Sequence, residues 1–237
     1  MSATEWGKRA EALYRPDYAS RYRAVDEDIR HGDLVETFGG WLRRLSESFG
    51  REITALDLGC GTGRYFWALK SVRELTGIDV SEAMLAEART PVDAAGVSVG
   101  RITLLQGDFL SQALADGGFD LIYSIGVLAE HSPLDDRLVG RVFQWLAPGG
   151  VFAFTAVHPQ SFSVTRTWKR RVGEWLLPFS TGGLKQALRA KLMAGGLYAD
   201  EPWLRELLPK HGFRIESVAS HLSDVHLHLM CVARKPA

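Results

Sequence analysis

Cysteine is scarce in this chain. Only Cys60 and Cys231 occur among 237 residues. Two thiols so far apart read neither as a disulfide framework nor as a zinc site, and both fit a reducing cytoplasm. An excess of one charge is also missing, because 28 Lys and Arg balance 28 Asp and Glu. Capture of nucleic acid by bulk electrostatics is therefore not expected. No apolar run approaches the roughly 20 residues of a membrane-spanning helix. The first residues, Met-Ser-Ala-Thr-Glu-Trp-Gly-Lys-Arg, lack the apolar stretch of a signal peptide. Neither nucleic acid nor membrane is expected as a partner, and the expected location is cytoplasmic. What is present is a 46% hydrophobic composition, enough for one α/β domain with a sizeable core.

The stretch from Ile53 to Arg89 organises that domain. Ile53 to Leu58 is a short apolar run with the character of a buried strand. Gly59, Gly61 and Gly63 break it, and Arg64 to Lys70 then reads as a helix with Tyr65, Ala68 and Leu69 on one face. Glycines in such a turn accept positive φ and let a ligand approach the backbone. The grammar repeats: Glu74 to Val80 is a second strand carrying Asp79 near its tip, and Ser81 is an N-cap signal ahead of Met84, Leu85 and Ala88. An acid at the end of the second strand is where a ribose is held in doubly wound folds. The glycine spacing is not that of a dinucleotide fingerprint, because Arg64 stands where Gly-x-Gly-x-x-Gly needs its third glycine. Asp57, two residues before the first glycine, would repel a pyrophosphate and attract an ammonium group.

The run Asp57-Leu58-Gly59-Cys60-Gly61-Thr62-Gly63 resembles the first motif of the class I S-adenosylmethionine-dependent methyltransferases, Asp/Glu-x-Gly-x-Gly-x-Gly. Further motifs agree. Gly107-Asp108-Phe109 ends a third strand that starts at Arg101, and Phe119-Asp120-Leu121-Ile122-Tyr123-Ser124 reads as the fourth. Ala147-Pro148-Gly149-Gly150 turns a helix, Leu134 to Leu146, into a fifth strand, Val151 to Val157. The resemblance implies a doubly wound, mostly parallel seven-stranded sheet with an antiparallel last strand. It implies methyl transfer from S-adenosylmethionine, with S-adenosylhomocysteine as product. The expected cofactor contacts are Asp57, Gly59, Cys60, Gly61, Thr62 and Gly63 in the loop, and Asp79, Val80 and Met84 beyond the second strand. Gly107, Asp108 and Phe109 are expected at the adenine, although Asp108 could instead cap a following helix. Ser124 is expected to face the cofactor, and Asp120, at the start of its strand, to be structural.

Four regions frame this core. Residues 1–50 read as helices: Ala10 to Tyr14, then one that Asp17 can cap and that runs through Ile29, then an apolar face from Leu34 to Leu45. Tyr18 and Tyr22 are either packing residues or a lid over the cofactor. Residues 51–157 form the S-adenosylmethionine-binding core. Residues 158–199 interrupt the alternation with an insertion in which Arg166, Lys169, Arg170, Arg171, Lys185, Arg189 and Lys191 face one acid, Glu174. Trp168, Trp175 and Phe179 are interleaved. The insertion is either a solvated basic face or a cap that selects an anionic or aromatic acceptor. Residues 200–237 give a helix up to His211 and two strands, Arg214 to Ser220 and His226 to Ala233, paired as a hairpin.

His131 and His158, at the carboxyl ends of core strands, are the candidate general bases for an O- or N-nucleophile. His221, His226 and His228 read as polar strand residues, and no metal is expected. The expected acceptor is a small molecule, and the chain is expected to act as a monomer or homodimer. A nucleic-acid acceptor is further disfavoured because Ser124-Ile125-Gly126-Val127 stands where such enzymes carry an Asn/Asp-Pro-Pro-Tyr-type motif. The alternative to an enzyme is a cofactor-binding regulator that has kept the fold.

Overall fold

A computed structural model of the chain describes residues 16–161, 172–173, 175–192, 197–223 and 226–237. The expected helix at Ala10 to Tyr14 lies outside these residues, as do Arg166, Trp168, Lys169, Arg170, Arg171 and Glu174 of the insertion. The strands are β1 (Ile53–Leu58), β2 (Val72–Asp79), β3 (Arg101–Gln106), β4 (Phe119–Ser124), β5 (Leu146–Val157), β6 (Arg214–Leu222) and β7 (Leu227–Arg234). They form one sheet in the order β3-β2-β1-β4-β5-β7-β6. Pairing is parallel from β3 through β5, and β7 runs antiparallel to both β5 and β6. This is the doubly wound sheet with the antiparallel last strand expected from the sequence.

Side-chain alternation divides the core between the two faces of the sheet. Leu56 and Leu58 of β1, Ile122 of β4, and Phe152 and Phe154 of β5 pack with α4 (Asp136–Trp145) and α6 (Glu201–Lys210). Ala55, Leu121, Tyr123 and Ala153 point the other way. They pack with Phe38, Trp41 and Leu42 of α2 (Asp33–Glu47) and with Leu85 and Ala88 of α3 (Glu82–Ala88). Asp57 shares the alternation of Ala55, and His228 that of Met230, so both belong to the α2 side. Side-chain caps fix the helix starts: Ser81 Oγ accepts from Met84 N at 3.2 Å, and Asp200 Oδ1 accepts from Trp203 N at 2.7 Å. Asp120 is structural, as expected, for it binds Arg51 at 2.7 Å and the Thr54 amide at 2.9 Å.

Two expected elements differ. Arg64 to Lys70 does not form a helix, only a 3-10 turn at Phe66–Ala68. Tyr65, Phe66, Ala68 and Leu69 are all buried, while Arg64, Trp67 and Lys70 are partly exposed. The fifth strand starts at Leu146 instead of Val151, and the pairing with β4 jumps from Phe119↔Leu146 to Leu121↔Val151. The Pro-Gly-Gly segment is thus an irregularity inside the strand, where Gly149, at φ 76, donates its amide to Lys235 O at 3.0 Å.

Candidate functional site

The carboxyl ends of β1, β2 and β4 and the residues that follow β3 surround a cavity of about 390 Å³. Three acids enter it from successive strands: Asp57, Asp79 and Asp108. Asp57 is 5% exposed. Burial pushes its carboxyl up to about 8, the neighbouring Tyr123 hydroxyl pulls it down, and the charge of Asp79 adds to the rise. The Tyr123 hydroxyl is itself buried without a hydrogen bond of normal geometry. Asp79 accepts from Gly61 N and Ser81 N, each at 2.9 Å, one on each carboxylate oxygen. Each oxygen keeps a second lone pair for another donor. Asp108 caps the 3-10 turn that follows it, accepting from Leu110 N at 2.9 Å through Oδ1, and still lines the cavity. The capping and ligand-facing readings of this residue are compatible.

The glycine loop folds by two means. Gly59, Gly61 and Gly63 all have positive φ, at 79, 54 and 74°. A Cβ on Gly59 would come within 2.6 Å of Val127, whereas one on Gly61 would meet only Met84, at 3.5 Å. Gly61 therefore leaves the backbone open where the cavity reaches it. Cys60, Thr62, Val80, Met84 and Phe109 also line the cavity.

The helix α1 (Pro16–Asp28) closes one side. Its Asp26 is 1% exposed and accepts from the Thr62 hydroxyl and from Arg64 Nε, the latter at 2.6 Å. Arg64 in turn lies over the Tyr22 ring, 4.9 Å from its centroid, and Tyr22 stacks on Tyr18 at 6.0 Å. Both tyrosines line the cavity, and burial holds the Tyr22 hydroxyl above its usual range. Asp26 carries no signal in the sequence, and Arg64 is marked there only as the residue that breaks the dinucleotide spacing. Their pairing spans 38 residues and carries no local signal.

The opposite side is built from the turn after β4 and from β7. Ile125, Gly126 and Val127 form a wall, and Glu130 and His131 follow it. His131 Nε2 lies 3.7 Å from Glu130 Oε1. Burial raises the Glu130 carboxyl to about 7, while burial and the nearby His226 lower the His131 imidazole. His226 and His228 also line the cavity, a placement that a reading as ordinary strand residues missed. His228 is 5% exposed, its Nε2 has no hydrogen-bond partner among the described residues, and burial brings it down to about 4. Its ring meets Phe38 edge-on at 5.4 Å.

Four expected site residues stand elsewhere. Ser124 is fully buried on the α4 side of β4, opposite Tyr123, and donates to Leu58 O at 2.7 Å. It faces core because the strand alternates. Gly63 and Gly107 shape the turns beside the cavity without lining it. His158 lies outside the cavity. Its amide pairs with Leu227 O at 2.8 Å and its Nδ1 accepts from Gln160 N at 3.1 Å. Of the described residues between 158 and 199, none lines the cavity.

Residues 55–150 match the family model described as a methyltransferase domain. The chain is 31% identical over 147 residues to the malonyl-[acyl-carrier protein] O-methyltransferase of Pectobacterium atrosepticum, an alignment covering 61% of this chain and 54% of that protein. It thus spans about half the length of that relative. It is 28% identical over 209 residues to the demethylmenaquinone methyltransferase of Leptospira interrogans, covering 83% of this chain and 80% of that one. Among solved structures, magnesium protoporphyrin IX methyltransferase from Synechocystis, crystallised with bound SAH, shares the fold. Its TM-score is 0.65 at 16% identity, over 97% of this chain and 99% of that chain.

Proposed function

We propose that this chain, which belongs to the class I S-adenosylmethionine-dependent methyltransferases, binds S-adenosylmethionine in the cavity between α1 and the strand ends. There it methylates an O- or N-nucleophile of a small molecule. The observation that carries the reading is the trio of carboxylates, Asp57, Asp79 and Asp108, at successive strand ends around one cavity. Their chemistry suits the cofactor. Asp57 is a buried acid that an ammonium group would hold ionised. Asp79 retains acceptor sites for two ribose hydroxyls, and the second oxygen of Asp108 suits an exocyclic amine. Met84, Val80 and Phe109 supply apolar contact for the base, and Gly61 gives the backbone clearance. When bound, the cofactor supplies a methyl carbon activated by its sulfonium charge.

The protein's own part is to orient, to exclude water and to handle one proton. The Tyr18–Tyr22 pair on α1 covers the cofactor side, held there by Asp26. The acceptor side offers Glu130 and His131 as proton acceptors, with His226 and His228 as hydrogen-bonding neighbours. Glu130, at about 7, is placed near neutrality, where a general base works best. His131, kept neutral by burial, receives the acceptor's proton or relays it to Glu130. The lining carries Asp57, Asp79, Asp108, Glu130 and Asp135, and its one Lys or Arg among the described residues is Arg64, committed to Asp26. That balance favours a neutral hydroxyl or amine over an anionic acceptor, one of the readings the insertion's charge left open.

The test is incubation with methyl-labelled S-adenosylmethionine and a fractionated pool of small metabolites, followed by mass spectrometry. The expected result is a labelled small molecule formed in step with S-adenosylhomocysteine. Tight cofactor binding with no labelled product from any fraction would instead favour a regulator that has kept the fold.

A further inference from the structure

None of the insertion's described residues lines the cavity, yet among the described residues it carries the most exposed large apolar side chains. Residues 172–173 and 175–176 are helical, a 3-10 turn follows at Leu177–Phe179, and α5 (Gly182–Leu192) comes next. Leu188 and Leu192 of α5 pack against Gly173, where an added Cβ would lie 3.5 and 3.1 Å from them. That contact consumes the inner apolar face of the unit. The outer one is left over: Trp175 is 67% exposed, Phe179 75% and Leu184 70%. The Trp175 and Phe179 rings lie 5.7 Å apart, so they form one patch at the tip of the turn. Apolar side chains gathered like this on a surface mark a contact site.

Charge indicates the partner. Between 158 and 199 seven lysines and arginines stand against one acid, while the whole chain is neutral. Of these, Lys185 and Lys191 are exposed on α5 itself. A two-fold contact through α5 would set Lys185 and Lys191 of one copy against those of the other, with no acid on α5 to pair them, which disfavours self-association. Exposed tryptophan, phenylalanine and leucine beside lysines are the composition of segments that lie in a lipid-water interface. An anionic bilayer complements both the apolar tip and the basic flanks. No helix among the described residues is long and apolar enough to cross a membrane, so the contact is one of surface docking.

The position gives such docking a use. Ser161 and Leu227 bond each other through the Ser161 hydroxyl and the Leu227 amide at 2.9 Å, and Ala199 N donates to Val157 O at 3.1 Å. Both ends of the insertion are therefore tied to the strand ends beside His226, which lines the cavity.

We infer that the exposed Trp175–Phe179 pair, together with Leu184, Lys185 and Lys191 exposed on α5, docks the protein on the surface of an anionic lipid bilayer, through a segment whose two ends are tied to the strand ends beside the cavity. This departs from the expectation of no membrane partner, which rested on the lack of a spanning run. It goes beyond the proposed methyl transfer and does not depend on it.

The experiment is co-sedimentation of the whole chain with vesicles of phosphatidylcholine alone and of phosphatidylcholine with one third phosphatidylglycerol. The expected result is binding to the anionic vesicles about tenfold or more tighter than to the neutral ones, weakening with salt. The pair Trp175→Ser and Phe179→Ser, and separately Lys185→Glu with Lys191→Glu, should each reduce it about tenfold. Circular dichroism matching the parent reports that each variant is folded. A chain that does not sediment with anionic vesicles overturns the inference, including one that captures an acidic protein or pairs with its own copy through this tip. So does a folded Trp175/Phe179 variant that sediments like the parent.

Discussion

Asp26 and Arg64 form a buried ion pair that joins the N-terminal helix to the glycine loop. The carboxylate also takes the Thr62 hydroxyl, so one acid holds two residues of the loop that follows β1. Because Arg64 then covers the Tyr22 ring, the position of the aromatic pair over the cavity depends on this contact.

Replacing Asp26 by Ala should therefore act in two places. Loss of one partner leaves a mostly buried guanidinium without its counter-charge, which costs about 3 kcal/mol, the lower end for buried pairs. Urea unfolding measures that loss. Calorimetry should show weaker S-adenosylmethionine binding at a temperature where the variant is still folded. If stability falls and cofactor affinity does not, the helix is packing alone and covers nothing.

Asp57 makes cofactor binding depend on protons. Its carboxyl lies at about 8, against an ordinary value of 3.8. An ammonium group beside it would draw that value back down, so binding at pH 7 should release a proton from Asp57. Titration in buffers of different ionisation enthalpy measures the release, and Asp57→Asn should remove it. The same shift shapes stability. A carboxyl raised in the folded state holds more protons there than in the unfolded chain. Its contribution is complete below about pH 4 and is lost as the pH climbs through about 8. The Asp57→Asn variant should show a flatter stability profile over that window.

Glu130 and His131 should be separable by kinetics. On an acceptor found by the labelled-methyl screen, His131→Ala should lower kcat by about 10²- to 10⁴-fold with cofactor affinity retained. Glu130→Gln should remove a limb of the pH–rate profile near 7, the value to which burial raises this acid. A drop of less than threefold in kcat for His131→Ala would make that residue a structural one.

Much of this was readable in the sequence because it is local. The strand, the glycines and Asp57 lie within eleven consecutive residues, and Asp79 and Asp108 each end a strand of their own. Strand alternation puts His226 and His228, two residues apart, on one face. It did not say that this face meets Phe38 of α2 at the cavity, since that depends on how a helix packs on a distant strand. The Asp26–Arg64 pair was hidden for the same reason. Ser124 was misplaced by a neglected detail: strand parity sends it to the opposite side from Asp57 and Tyr123. The helix expected at Arg64 to Lys70 is replaced by a 3-10 turn in which Tyr65, Phe66, Ala68 and Leu69 are all buried, more apolar burial than the Tyr65, Ala68 and Leu69 face read from the sequence.

Asp79 anchors Gly61 and Ser81 through their amides while offering its remaining lone pairs to the ribose. Asp79→Ala should weaken S-adenosylmethionine about ten- to a hundredfold, on the scale of hydrogen bonds to a charged acceptor. Asp79→Asn, which preserves one acceptor oxygen and the size of the group, should lose less. Equal affinity in Asp79→Ala and the parent would place the ribose elsewhere.

The most direct measurement is calorimetric titration of S-adenosylhomocysteine into the parent chain and into Gly61→Val. Valine at φ 54° is strained, and its side chain would enter the cavity where the backbone is otherwise clear. The expected result is one site per chain in the parent and no measurable binding in Gly61→Val, with circular dichroism showing the sheet intact. A parent chain that does not bind, or a Gly61→Val variant that binds as the parent does, would contradict the assignment of this cavity to the cofactor.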